Sequence, residues 1–187
     1  MKLIAIDTAG PVIGVGLWDG SRAWVHQERV GRGSEARIMP WITELCEQAG
    51  LALSACDGVV VSKGPGGFTA LRVGLASGLG IATALNVKVA SVMSLTSRAL
   101  GVPNPKNNIV SILDARKSRV YGAWFSAEGD LLTPPVDVSI SELLHGYKAP
   151  FFAVGEGAVV YEAEILSAGG TLAPEADDPR IATLLAI

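Results

Sequence analysis

The stretch MKLIAIDTAGPVIGVGLWDGSRAWVHQ, residues 1–27, decides the fold of this chain. It contains three short segments rich in apolar, β-branched and aromatic residues, Leu3–Ile6, Val12–Trp18 and Arg22–Gln27. The turn signals Ala9-Gly10-Pro11 and Asp19-Gly20 separate these segments, and Asp-Gly is a strong hairpin signal. The sequence therefore predicts an antiparallel meander of three strands.

Helices and strands alternate after this meander. Apolar residues at three- and four-residue spacing predict a helix over Ser34–Ala49, with Ser34 as N-cap, Gly50 as C-cap and a kink or late start at Pro40. The next predicted elements are a strand at 59–62, a glycine-rich loop at 63–67, a helix at 68–85, a strand at 87–91 and a helix at 92–100. Three antiparallel strands followed by helix–strand crossovers are the ribonuclease-H-like pattern.

Residues 101–108, dense in Pro and Asn, are the predicted boundary between an N-terminal lobe, 1–103, and a smaller C-terminal lobe, 104–187. The opening pattern then returns, because Ile112-Leu113-Asp114 matches Ile4-Ala5-Ile6-Asp7 in place. Further predicted elements are strands at 109–113, 119–125, 131–138 and 151–154, and helices at 141–145 and 158–167. We therefore predict an α/β protein built from a duplicated ribonuclease-H-like half, in which each lobe has a mixed sheet flanked by helices.

The composition narrows the classes of function. The chain has 187 residues, a net charge of −3 and no stretch rich in Lys or Arg, which argues against tight nucleic-acid binding by this chain alone. Cys46 and Cys56 lack a metal-like spacing and are interpreted as reduced structural thiols. The longest uncharged run, Val73–Val87, is shorter than the ~20 apolar residues that a bilayer requires, and no signal peptide is visible. We expect a cytoplasmic protein without a membrane span.

Two acidic turns are candidate phosphate sites, Asp7-Thr8 and the equivalent Asp114-Ala115-Arg116. In duplicated folds of this type, an Asp followed by Gly and Thr cradles phosphate and metal, because Gly lets backbone amides approach the anion. Neither Asp is followed directly by Gly here. We interpret both turns as vestigial, with Asp7 and Asp114 capping turns or organising the lobe interface.

The glycine-rich loop that contains Gly64 and Gly66 is a third candidate, because it leads into a helix whose N-terminus could bind an anion. It is not a Walker loop, since no Lys-Ser or Lys-Thr follows at the required place. A phosphate or partner contact and a simple tight turn both remain open.

The helix predicted at 68–85 carries two rows of small residues, Ala70/Gly74/Gly78/Ala82 and Ala76/Gly80/Ala84, and Leu71, Leu75 and Leu79 run along its other side. Each interior Gly costs a helix about 1 kcal/mol relative to Ala, which the close approach of another element would offset. That element is either this chain's own first helix or a second polypeptide, and we favour the latter. The predicted partner surface comprises Ile38, Trp41, Ile42, Leu45, Phe68, Ala70, Leu71, Arg72, Gly74, Leu75, Gly78 and Ala82.

Catalytic constellations are scarce. His26 and His145 are the only histidines, so a zinc-protease site has no ligand pair, and no Gly-x-Ser-x-Gly elbow is present. We therefore predict no catalytic residue, no metal ligand and no cofactor for this chain.

Several motifs together resemble the bacterial TsaB (YeaZ) family over nearly the whole chain. They are Ile4-Ala5-Ile6-Asp7-Thr8, the run GPGGFTALRVG at 64–74, SVMSL at 91–95, and LDAR at 113–116 with Val120-Tyr121. The resemblance implies the fold of the actin, Hsp70 and sugar-kinase superfamily. It also implies a non-catalytic subunit of the machinery that installs threonylcarbamoyl on the adenosine beside the tRNA anticodon.

The same resemblance implies the partners. The catalytic paralogue TsaD carries the metal and transfers the group, TsaE is an accessory ATPase, and ATP and threonylcarbamoyl-adenylate belong to the complex. tRNA would be reached only through the complex. The helices at 34–49 and 68–85 would form the dimer surface with TsaD, or with a second copy of the chain when TsaD is absent. The alternative hypotheses are a glycoprotease-like peptidase, a small ATP-dependent kinase and a stand-alone nucleotide-binding module.

Overall fold

Two sheets organise the chain in the computed structural model, which describes residues 1–30, 33 and 36–187. Unit 1 comprises Met1–Ser94 and Pro179–Ile187, and unit 2 comprises Leu95–Asp178. The elements in chain order are β1 (Leu3–Asp7), β2 (Val12–Trp18), β3 (Ala23–Arg29), α1 (Ile38–Ala49), a short 3-10 helix (Leu53–Ala55), β4 (Gly58–Ser62), α2 (Phe68–Leu85), β5 (Lys88–Val92), α3 (Ser94–Leu100), β6 (Ile109–Arg116), β7 (Arg119–Phe125), β8 (Val136–Val138), α4 (Ile140–Leu144), β9 (Phe151–Val154), α5 (Glu156–Val160), α6 (Glu162–Ser167), β10 (Gly170–Leu172) and α7 (Ile181–Ala186).

The two sheets have the same topology. The strand order is β3-β2-β1-β4-β5 in unit 1 and β8-β7-β6-β9-β10 in unit 2. In each sheet the first three strands pair antiparallel, and the last two join in parallel. This equivalence, strand by strand, confirms the predicted duplication of a ribonuclease-H-like half.

Opposite faces of the first sheet are covered by different helices. Ile4, Ile6 and Val61 point into a core shared with α1 and α2. Ala5 and Val60, which alternate with them along the strands, pack instead against α7. The helices on the first face therefore have one side against the sheet and one side outward.

The helix α7 returns to unit 1 after the chain has passed through unit 2. Its Ile181 and Leu185 fill the space above Gly14 and Gly16 of β2, where a Cβ atom on either glycine would overlap an α7 side chain. The observed division therefore differs from the predicted lobes 1–103 and 104–187, because residues 179–187 pack in unit 1. The change from unit 1 to unit 2 also falls earlier, after Ser94.

Removing the Ile181 side chain tests how much α7 contributes. Ile181 is almost fully buried, so Ile181→Ala leaves a cavity between α7 and the sheet. We expect the free energy of unfolding to fall by about 3 kcal/mol, as measured by chemical denaturation. Thr183→Ala in the same helix, at a half-buried position, is the matched control and should change stability by less than about 1 kcal/mol. Equal losses in the two variants would contradict the packing described here.

The core of unit 2 is built around the Trp124 indole. Trp124 is stacked on Tyr147 with 3.8 Å between ring centroids, lies edge-on to Phe151, and donates its indole N–H to the Leu143 carbonyl at 3.0 Å. Arg98 and Glu156 form a buried ion pair, with 3.9 Å between Nε and Oε2. Tyr121 and Trp124 both lie in β7, where Trp124 is buried and Tyr121 is half-buried.

Several element boundaries differ from the sequence prediction. The first helix begins at Ile38 rather than Ser34, with Pro40 in its first turn, where a missing N–H is tolerated; the predicted Ser34 cap lies outside the described residues. The strand predicted at 131–138 is reduced to Val136–Val138, because Pro134 and Pro135 cannot donate ladder hydrogen bonds. The helix predicted at 158–167 is divided at Tyr161, and the strand β10 was not predicted.

Within the described part of the chain, α2 is the one helix long and apolar enough to cross a membrane by length and composition alone. Its Gly74, Gly78, Ile81 and Ala82 are buried. The absence of a membrane span stays a prediction.

Candidate functional site

The row of small residues that the sequence assigned to a partner faces this chain's own sheet. A Cβ atom on Gly74 would overlap the Thr8 hydroxyl, and one on Gly78 would overlap a methyl group of Val61 in β4. Ala82, one turn further on, is also buried. The glycines thus allow α2 to lie close to β1 and β4. The assignment of Gly74, Gly78 and Ala82 to an intermolecular contact is therefore wrong for the folded chain.

The predicted partner residues of α1 are also internal. Ile38, Trp41, Ile42 and Leu45 lie in the hydrophobic core of unit 1. Their periodicity identifies the side of α1 that packs on the sheet, so they are corrected from partner contacts to core residues. The outward side of α1 carries instead Met39, Pro40, Thr43, Glu44, Glu47 and Gln48.

The second small row of α2 is the exposed one. Ala76, Gly80 and Ala84 all face outward. Apart from the two adjacent residues and the surrounding backbone of α2 itself, no described atom lies within 4 Å of a Cβ placed on Gly80. Phe68 and Leu79, which are 69% and 54% exposed, extend this surface along the helix. We call Phe68, Arg72, Ala76, Leu79, Gly80 and Ala84 the outer face of α2.

A shallow groove runs beside the outer face, between α2 and α1. Its volume is about 290 Å³, and its lining is almost entirely apolar. The lining residues are Met39, Leu53, Ala76, Ser77, Gly80, Ile81, Ala84 and Leu85. The combination of exposed large side chains and a groove floored by small ones is the shape expected of a surface that receives another protein's side chains.

Arg72 is the only charged residue of α2. Its guanidinium carbon lies 3.9 Å from the centre of the Phe68 ring, one turn earlier, in a cation–π arrangement. Both residues are exposed, and such a contact is worth about 0.5–1 kcal/mol at an exposed site. This pair gives the outer face an aromatic group with a positive charge over it.

Of the predicted interface residues, all within the described part of the chain, Phe68 and Arg72 are exposed, and Ala70, Leu71 and Leu75 are half-buried. The residues that the predicted surface omitted are Met39, Ala76, Leu79, Gly80 and Ala84. A signal for three of them was present, because Ala76, Gly80 and Ala84 repeat every four residues beside the first row. The sequence did not show which row faces the sheet.

The candidate phosphate residue Asp7 is fully buried, and both of its carboxylate oxygens are engaged within the chain. Oδ1 accepts the Ala9 backbone N–H at 2.7 Å, and Oδ2 accepts the Ser62 hydroxyl at 3.1 Å. Ser62 in turn shares a hydrogen bond of 2.9 Å with Ser94. This network supports the interpretation that Asp7 organises a turn and is not presented to a nucleotide.

The other candidates of unit 1 lie beside Asp7. Thr8 donates its hydroxyl to the Ala70 carbonyl at 2.6 Å, and Gly64 accepts the Ser94 N–H at 2.8 Å. Gly66 approaches Ala9 so closely that a Cβ atom on it would overlap the Ala9 carbonyl oxygen. The glycines of this loop therefore serve close packing against the end of β1. Asp7, Thr8, Gly64 and Gly66 are brought together around the end of β1. The polar groups named here are hydrogen-bonded to other residues of the chain: Ala9 and Ser62 for Asp7, Ala70 for Thr8, and Ser94 for Gly64.

In unit 2, Asp114 and Arg116 form a local turn. Asp114 Oδ1 accepts the Arg116 N–H at 2.8 Å, and its Oδ2 lies 3.4 Å from the Arg116 guanidinium. Arg116, Lys117 and Ser118 all have positive φ angles, which shows how sharply β6 turns into β7. Asp114 thus caps the turn, and the absence of a nucleotide site there stays a prediction.

Asp7→Ala tests the structural role of the buried carboxylate. The variant leaves the Ser62 hydroxyl and the Ala9 N–H without this acceptor in a buried place, so we expect the free energy of unfolding to fall by about 2 kcal/mol. Asp7→Asn retains one acceptor oxygen and should lose less, as measured by denaturant titration. An unchanged stability in Asp7→Ala would contradict this role.

The described residues contain no cluster of three or more His, Cys, Asp or Glu side chains that could hold a metal ion. Cys46 and Cys56 are free and buried, as the sequence predicts, and burial raises the pKa of the Cys56 thiol to about 11. Such a thiol stays protonated and unreactive at neutral pH.

Comparison with known proteins identifies relatives over most of the chain. The family model described as "TsaD: tRNA N6-adenosine threonylcarbamoyltransferase" matches residues 25–149. The tRNA threonylcarbamoyladenosine biosynthesis protein TsaB of Escherichia coli is 26% identical over 195 residues, a match that covers 95% of this chain and 84% of that protein. The TsaB protein of Haemophilus influenzae is 32% identical over 65% of this chain, which corresponds to 52% of its own length.

Solved structures point to the same relatives and to the same fold. A Pseudomonas aeruginosa protein described as similar to the peptidase YEAZ superimposes with a TM-score of 0.85 at 27% identity, covering 99% of this chain and 88% of that one. A Bacteroides thetaiotaomicron protein with an actin-like ATPase fold superimposes with a TM-score of 0.52 at 9% identity, covering 100% of this chain and 96% of that one, which shows the shared fold alone.

Proposed function

This chain belongs to the family described as TsaD, tRNA N6-adenosine threonylcarbamoyltransferase, and is related to the TsaB (YeaZ) proteins; we propose on that basis that it serves tRNA threonylcarbamoyladenosine biosynthesis. In this proposal it is a non-catalytic scaffold subunit. Its task is to bind a TsaD-like catalytic subunit. The relatives' names support the pathway, and the surface of α2 supports the binding role.

The outer face of α2 is the observation that carries the proposal. Phe68 and Leu79 are large apolar side chains exposed to solvent, and Ala76, Gly80 and Ala84 of the same face line the groove between α2 and α1. Burying such side chains against a partner is worth about 1.5–3 kcal/mol each. The small residues Ala76, Gly80 and Ala84 would let a partner helix approach closely. The sequence first suggested this role for the other row, Ala70/Gly74/Gly78/Ala82, which faces the sheet.

The chemistry would belong to the partner. The buried Asp7 is already hydrogen-bonded to Ala9 and Ser62, which disfavours a stand-alone nucleotide site at this turn. In this proposal ATP, threonylcarbamoyl-adenylate and the metal are handled by the TsaD-like subunit and a TsaE-like ATPase. tRNA contacts this chain only within the complex, which would work in the cytoplasm.

A second copy of the chain is the expected occupant of the outer face when the catalytic subunit is absent. An exposed apolar helix face of this size is otherwise prone to unspecific association. Because the same face would serve both contacts, adding the TsaD-like subunit should convert homodimer into heterodimer.

The deciding experiment is co-purification with the TsaD-like and TsaE-like proteins of the same genome, followed by native mass measurement. We expect a complex with the TsaD-like subunit and a homodimer of the chain alone. Failure to bind the TsaD-like subunit at micromolar concentrations would refute the scaffold role. Threonylcarbamoyl transfer, peptide hydrolysis or ATP turnover by the purified chain alone would refute the non-catalytic assignment.

A further inference from the structure

The turn of residues 7–9 makes several contacts with the loop that leads into α2. The Ala9 carbonyl accepts the Gly67 N–H at 2.9 Å, immediately before α2 begins. Gly66 packs directly on Ala9, and the hydrogen-bonded pair Asp7 and Ser62 holds the turn from the other side. The loop that leads into α2 therefore packs on residues 7–9 at the end of β1, and we call these three residues the seat of α2.

Thr8 extends this seat along the helix. Its hydroxyl donates to the Ala70 carbonyl in the first turn of α2, and the same side chain lies against Gly74 one turn later. Thr8 itself is buried. One side chain thus contacts two successive turns of α2, on the side that faces the sheet.

The outer face lies on the opposite side of the same helix. An α-helix transmits a displacement of one side to the other, because its backbone hydrogen bonds keep it rigid over a few turns. Phe68 and Arg72 lie within the turns that Thr8 contacts, and Ala76 follows in the next. A shift of the seat therefore moves the surface that a partner would contact.

We propose that Thr8 is a positioning residue for the partner-binding face, setting the height and the axial position of α2 through its hydroxyl and its methyl group. This inference rests on the proposed function of the outer face. In this proposal, the turn that begins at Asp7 and resembles a phosphate site serves to position the partner-binding helix.

The first test is Thr8→Val, which keeps the branched shape of the side chain and removes its hydroxyl. We expect the affinity for the TsaD-like subunit, measured by calorimetry or surface plasmon resonance, to fall about fivefold, because binding must then restore the position of α2 that the lost hydrogen bond maintained, at a cost of about one hydrogen bond of ordinary net strength. Thr8→Ser keeps the donor, so its affinity should stay closer to that of the parent protein.

The second test uses the contact between Thr8 and Gly74. Gly74→Ala places a methyl group where the Thr8 hydroxyl lies, so α2 must shift, and we expect at least tenfold weaker binding. Thr8→Ala creates room for that methyl group. The double variant Thr8→Ala/Gly74→Ala should therefore bind more tightly than Gly74→Ala alone. If the fold loss of affinity in the double variant equals the product of the fold losses in the two single variants, the proposal is overturned.

A stability control separates positioning from general weakening of the fold. Leu17 is buried in β2 and pairs with Ile4 at the opposite end of β1 from the turn. Leu17→Ala should lower the unfolding temperature while leaving the affinity of the folded protein within twofold of the parent value. If Leu17→Ala weakens binding as much as Thr8→Val at equal loss of stability, Thr8 acts only through stability and the proposal is refuted.

Hydrogen exchange gives a readout that does not need a partner. In Thr8→Val, the amides of Gly67 and Leu71, which donate to the Ala9 and Gly67 carbonyls, should exchange about tenfold faster, and the amides at the far end of α2 should not. Unchanged exchange would refute the positioning role. If the parent protein fails to bind a TsaD-like subunit, the proposed function is refuted, and exchange together with self-association then decides whether Thr8 positions α2.

Discussion

Gly80→Glu is expected to weaken binding of the TsaD-like subunit about a hundredfold while leaving the isolated chain folded. Gly80 belongs to the outer face and lines the groove. Apart from the adjacent residues and the backbone of α2 itself, no described atom lies within 4 Å of the position that its Cβ would take. A carboxylate there is free in solvent in the isolated chain but would be buried against an apolar partner, where an unpaired charge is strongly unfavourable. Replacing an interior Gly should also favour the helix by a few tenths to about 1 kcal/mol.

Gly80→Ala is the matched control for this prediction. It adds a single methyl group and no charge, so it should raise the stability of the chain and change the affinity by no more than a few fold. Affinities measured by calorimetry, with circular dichroism for the fold, distinguish the outcomes. If Gly80→Glu binds as tightly as Gly80→Ala, the outer face is not the partner surface, and the site assignment is wrong.

Gly78→Leu is expected to have the opposite profile and to lower the free energy of unfolding by about 3 kcal/mol or more. Gly78 lies only two residues from Gly80, but it faces β4, and a Cβ atom there would overlap Val61. A leucine would force α2 away from the sheet, and overpacking of this kind typically costs about 1–3 kcal/mol even for smaller changes. Denaturant titration measures the loss.

Gly80→Leu provides the comparison, because it introduces the same side chain two residues away on the other side of α2. It should leave stability unchanged or improve it. Equal destabilisation by Gly78→Leu and Gly80→Leu would mean that the two rows of small residues do not differ in their surroundings. A parent-like stability of Gly78→Leu would mean that α2 does not lie against β4 as described.

The bounds of α2 could be predicted from the sequence, but its orientation could not. Both small rows repeat every four residues, and their side chains are nearly the same size. The choice between them depends on Thr8, which is far from α2 in the sequence, and on Val61 of the preceding strand β4, and helical periodicity shows the position of neither. Helical periodicity therefore predicted a close approach correctly and assigned it to the wrong neighbour.

A related ambiguity affected α1. The apolar spacing of Ile38, Ile42 and Leu45 identifies a buried side correctly, but a buried side against a sheet and a buried side against a partner have the same pattern. Met39, which is exposed and lines the groove, is the α1 residue that borders the proposed partner surface. Burial in the folded chain was needed to separate the two.

The place where α7 packs is set by residues that lie far from it in the sequence. Nothing in the local sequence of residues 181–186 shows that they pack on β2. Gly14 and Gly16, alternating on one face of a central strand, were the available indication, because each leaves a space that another element must fill. Long-range complementarity of this kind is not visible in local periodicity.

The discontinuous make-up of unit 1 has a consequence for protein synthesis. Residues 179–187 leave the ribosome after the whole of unit 2, so the nascent first sheet has one face without its helix while unit 2 is already being completed. The uncovered surface includes Ala5, Val60 and the space above Gly14 and Gly16. During translation, the unit that begins to form first is thus the one that is completed last.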